Sequence, residues 1–69
     1  DREAGVLAAV RAGTALVPDM VRQLYVGVNE RLYKAAGRSV LSHLIKLQQD
    51  GLVVPEGGRP GVKVRWQPV

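Results

Sequence analysis

The chain has 69 residues, 46% of them hydrophobic, and no cysteine; a chain this short is one domain at most and buries only about 60% of the surface its unfolded form exposes. That composition excludes a disulfide framework, a thiolate metal site and a thiol nucleophile, and the lack of any apolar run near 18 residues excludes a membrane-spanning helix. The net charge of +4 is uneven, because residues 1–30 hold three Arg against four acids, whereas residues 31–69 hold seven Lys and Arg against two acids.

Residues 2–12, "REAGVLAAVRA", space Val6, Leu7 and Val10 at helical intervals, and Gly13 supplies a stop. The apolar "TALV" at 14–17 is a small strand or a connector. Pro18 suits the first turn of a second helix, where its missing N–H costs nothing, and Asp19 adds negative charge at the positive helix end. That helix turns Met20 or Val21, Leu24 and Tyr25 inward and ends near Gly27. A third helix opens in "VNERLY" at 28–33, with Asn29 as N-cap, runs to Asp50 and is closed by Gly51.

An advance of about 100° per residue brings Tyr33, Ala36, Val40, Leu44 and Leu47 onto one inward stripe of the third helix. Gly37 lies beside that stripe, costs roughly 1 kcal/mol relative to Ala, and allows close approach of another helix. Beyond it, "LVV", "PEGGRPG" and "VKVRWQPV" read as strand, loop and strand, with Val62, Val64 and Trp66 alternating against Lys63, Arg65 and Gln67. The expected fold is mostly helical α+β: a winged helix of three helices plus a C-terminal β-hairpin.

Enzyme chemistry has little to work with here. One His and no Cys leave no zinc spacing, and "PEGGRPG" leads into a strand and not into the helix N-terminus that a phosphate loop requires. Asp50 and Glu56 fall at a turn and a loop, without the burial that would separate two carboxyl pKa values. His43, about 60° off the core stripe and beside Ser39, Lys46 and Asp50, reads as a boundary residue hydrogen-bonded to a neighbour. A catalytic base needs a second group that the sequence does not supply. Tyr25, Tyr33 and Trp66 take inward phases and read as core or core edge, not as base-stacking platforms.

The outer arc of the third helix carries Arg31, Lys34, Arg38, Ser42, Lys46 and Gln49, and the wing carries Arg59, Lys63 and Arg65. Such a set could follow a phosphate backbone, so Arg31, Lys34, Arg38, Arg59, Lys63 and Arg65 are candidate nucleic-acid contacts. Leu41 and Ile45, about 100° and 140° from the core centre, interrupt that arc with an apolar ridge. A protein surface explains such a ridge better than a groove of bases does. Arg38, Leu41, Ser42, Ile45 and Lys46 are therefore expected to form an interdomain or partner surface.

Residues 16–53, "LVPDMVRQLYVGVNERLYKAAGRSVLSHLIKLQQDGLV", resemble the small winged-helix domain that follows the catalytic domain in many metallo-β-lactamase-fold hydrolases. The resemblance rests on Leu16, Val17, Leu24 and Tyr25, then on Ala35, Ala36, Ser39, Val40, His43, Leu44, Lys46, Leu47, Gly51 and Val53. Gly37 stands where such domains often have a better helix former, and the wing carries no signature of the family. The resemblance implies that residues 1–69 form a single domain, a C-terminal fragment of a larger hydrolase. Its HxHxDH motif and zinc would lie in the catalytic domain, with no cofactor or metal ligand in this chain. The implied partner is that catalytic domain of the same polypeptide, packed against the winged helix so that the winged helix shapes substrate access. With no cysteine and no targeting segment, the expected location is the cytoplasm.

Overall fold

Asp1 begins the first helix as its cap: the carboxylate accepts the N–H of Ala4 at 3.0 Å and sets negative charge against the positive helix end. The computed structural model describes residues 1–69. In it α1 covers Arg2–Arg11, α2 Val17–Leu24 and α3 Tyr33–Gln49, followed by β1 (Val53–Pro55) and β2 (Trp66–Pro68). The two strands pair antiparallel, with Val53 opposite Pro68 and Pro55 opposite Trp66. Three helices and a C-terminal hairpin make the mostly helical winged helix that the sequence leads one to expect.

The third helix starts later than its spacing suggests. Asn29 caps a short 3-10 turn, Glu30–Leu32, its side-chain oxygen accepting the N–H of Arg31 at 2.9 Å, and α3 proper begins at Tyr33. A tighter first turn is a common way to use the orphan donors at a helix start. At the far end Gly51, at φ 78°, closes the helix. The N–H of Leu52 reaches the carbonyl of Leu47 at 2.9 Å, and that of Gly51 reaches Gln48 at 3.0 Å. This paired arrangement satisfies the last carbonyls and needs a left-handed residue.

The core lies where the three helices meet the hairpin. α1 gives Val6, Ala9 and Val10; α2 gives Val17, Met20 and Val21; α3 gives Ala36, Val40, Leu44 and Leu47; the hairpin adds Val53 and Trp66. Each fully buried Val, Leu or Met among them stabilises the fold by about 1.5–3 kcal/mol. Both Met20 and Val21 are buried, while Leu24, Tyr25 and Tyr33 are half-buried against the cluster. Trp66 is buried and donates its indole N–H to the carbonyl of Gly61 at 3.1 Å, which satisfies the polar end of the ring.

Three expectations need correction, and one open alternative is decided. The second helix stops at Leu24, short of Gly27. "TALV" forms no strand: residues 14–16 connect α1 to α2, and the Ala15 carbonyl accepts the N–H of Trp66 at 2.8 Å. The second strand is not 62–69 but three residues from Trp66, since β1 offers only three residues to pair with and the chain bends at residues 62–64 just before it. Val62 is consequently exposed and Val64 half-buried. Finally, a Cβ built on Gly37 would meet Val17 Cγ1 at 3.6 Å, ordinary contact, so α2 does not approach closely enough to require glycine there.

Candidate interaction surface

Along the outward side of the 3-10 turn and α3, Arg31, Lys34, Arg38, Ser42, Lys46 and Gln49 are all exposed. Their availability differs. Lys46 is held by Asp50 at 2.8 Å, one turn on, and this hydrogen bond and charge raise its pKa above the ordinary lysine value. Ser42 donates its hydroxyl to the carbonyl of Arg38 at 3.1 Å, along its own helix. Arg31, Lys34 and Arg38 form no ion pair. The charges free to meet a partner are therefore concentrated at the N-terminal half of the helix.

The apolar ridge is less exposed than helical phase indicates. Leu41 is half-buried and packs against the domain's own core, and Ile45 is also half-buried. Phase gives direction around one helix, not what other elements lay over that side. The most exposed large apolar side chains are elsewhere: Val26 at 82% and Leu32 at 56% near the α2–α3 corner, and Val69 at 83% beyond β2.

On the wing, Arg59, Lys63 and Arg65 are exposed. Arg65 lines a shallow cleft with the α1–α2 connector, Asp19, Arg22 and Gln23, on the flank of α2. The basic residues of the wing and of α3 thus do not merge into one cleft around Arg65.

A second concave feature joins α2 to α3. Val17, Pro18 and Val21 from α2 face Tyr33 and Gly37 from α3 across a groove of about 330 Å³, with Val62 of the hairpin loop on its wall. Arg22, Lys34 and Arg38 form its rim. Arg22 is tied to Asp19 at 2.6 Å, which leaves Lys34 and Arg38 as the unpaired cations. From the sequence, Arg38 and Lys34 stand out as surface cations, but Val17, Val21, Arg22 and Val62 do not. The available signal was Gly37, a helix-interior glycine beside a core stripe.

The polar side chains that meet elsewhere are few. His43 Nδ1 lies 3.4 Å from Glu3 Oε1 on α1, so its partner is forty residues away and not one of its α3 neighbours. Tyr25 meets Ser39 at 3.3 Å, and the Arg2 guanidinium lies 4.1 Å from the Tyr25 ring centroid. No three His, Asp or Glu side chains come together in a group able to hold a metal. The His43–Glu3 pair falls short of the three or four ligands zinc needs, so these residues do not fit one. The geometry suits binding through a grooved, partly basic face. No helix is long and apolar enough to cross a membrane.

Residues 17–66 match a family model described as "Beta-lactamase associated winged helix domain". No curated protein and no solved structure matches the chain.

Proposed function

This chain belongs to the beta-lactamase associated winged helix domain family, and we propose that it serves as a non-catalytic accessory domain of a metal-dependent hydrolase of the metallo-β-lactamase fold. In this reading it packs on the catalytic domain and shapes access to the catalytic cleft, and zinc resides in that other domain. The single observation that carries the reading is the family match, which runs from the start of α2 to the first residue of β2 and so takes in the core of α2 and α3. The contact is centred on α3 at Arg38, Ser42 and Lys46, where Leu41 and Ile45 keep part of their apolar area uncovered. Covering that remainder would add stabilisation at roughly 25 cal/mol per Å². The cysteine-free composition is in keeping with a cytoplasmic parent.

A fluorophore attached after Ser42→Cys in the natural polypeptide tests this contact, with one attached after Arg11→Cys for comparison. The label at position 42 is expected to be shielded from iodide quenching relative to that at position 11. Equal quenching at both positions refutes the α3 contact.

A second reading, a nucleic-acid-binding module, draws on one observation. Arg31, Lys34, Arg38, Arg59, Lys63 and Arg65 are exposed and none has a carboxylate partner, the electrostatic footprint that a phosphate backbone needs.

A further inference from the structure

We infer that the groove between α2 and α3 receives an apolar side chain flanked by carboxylates, presented by a segment of the β-lactamase-fold domain on which this domain docks. The inference rests on that docking and adds its place and its chemistry. The floor comes first. Val17, Val21 and Tyr33 line it, Gly37 leaves it open, and the volume of about 330 Å³ is at the small end of binding cavities, suited to one large side chain.

Gly37 is the second support. A glycine inside a 17-residue helix costs about 1 kcal/mol relative to alanine. Such a cost is usually explained by a neighbour too close for a Cβ, yet the nearest atom outside the helix would be 3.6 Å away. Gly37 lines the groove, and a side chain larger than alanine there would take up part of its volume. The packing of α2 on α3 therefore does not require the glycine, and the space it leaves belongs to the groove lining.

The rim supplies the third. Lys34 and Arg38 border the apolar floor without any ion pair of their own, while Arg22 on the opposite side is already engaged by Asp19. An apolar group alone would leave these charges unmet, and a phosphate backbone would leave the apolar floor uncovered. A segment that sets carboxylates on either side of an apolar residue meets both at once, with the paired charges at the solvated edge, where desolvation is least costly.

Zero-length carbodiimide coupling on the natural polypeptide tests the proposal, because it joins a lysine amine only to a carboxylate in direct contact. Lys34 is expected to couple to an Asp or Glu that lies beside an apolar residue in the β-lactamase-fold domain. Gly37→Leu, which fills the floor and leaves the amine in place, is expected to lower that yield about tenfold. Val62→Asp, which sets a carboxylate on the wall at a site already exposed, is expected to lower it similarly even if the leucine variant fails to fold. If the two domains rotate as one body but Lys34 couples to nothing in the other domain, or both variants couple as well as the parent, the groove inference is overturned and docking stands. Independent rotation of the two domains overturns docking and the groove together.

Discussion

Replacing Gly37 with alanine should make the domain more stable, an unusual expectation for a buried position. The helix-propensity gain for Gly→Ala inside α3 is about 1 kcal/mol. The new methyl meets Val17 Cγ1 at 3.6 Å, close enough for favourable contact and too far for a clash. A buried methylene contributes about 0.8 kcal/mol, but this one borders an open groove and gains only part of that. The sum is about 1–1.5 kcal/mol. For a domain of this length each kcal/mol moves the melting midpoint by roughly 4–8 °C. Trp66 is the only tryptophan and is buried, so its fluorescence reports the transition directly in urea or thermal unfolding. A midpoint that falls would refute the reasoning, because it would mean that α2 and α3 approach more tightly than 3.6 Å allows. A rise in stability together with weaker interdomain coupling would separate the groove's role from that of the fold.

Two further outcomes are expected. Because the Lys46 pKa is raised by its hydrogen bond and charge attraction to Asp50, the pair's contribution is fully present below the ordinary lysine value of about 10.4 and is lost as pH rises through the raised one; urea midpoints of the parent and of Lys46→Gln should differ at pH 9 and converge above that value, and a constant difference would refute the pairing. Under the nucleic-acid reading, duplex binding should weaken linearly with log salt, and Arg38→Ala should reduce the slope by about 0.9 while Lys46→Ala changes it less, since Asp50 already holds that amine; no binding at low salt removes this reading.

Much of the helical framework was legible because buried stripes repeat at helical spacing. Of the inward set on α3, Ala36, Val40, Leu44 and Leu47 are buried and Tyr33 half-buried. Punctuation by Pro18 and Gly51 worked for a similar reason, since backbone constraints act within a few residues. The failures share a different cause. Alternation over Val62, Val64 and Trp66 has the period of a strand, but a strand exists only where a partner offers backbone groups, and β1 is three residues long. Leu41 points outward from α3 by phase and still packs against the core, because exposure depends on every element that covers a direction. His43 found Glu3 on another helix, a pairing that no local spacing encodes. The groove was missed for the same reason: its walls come from α2, α3 and the hairpin loop, three segments distant in sequence.

The bond from the Trp66 N–H to the Ala15 carbonyl, at 2.8 Å, joins residues fifty-one positions apart. Of the twelve buried members of the hydrophobic cluster, eleven lie at or before Val53, and only Trp66 follows, with Pro55 buried and Val64 packed against the cluster between them. A chain cut before residue 66 would lose this backbone bond and the buried indole together, so the three helices depend on the second strand of the hairpin to close their core.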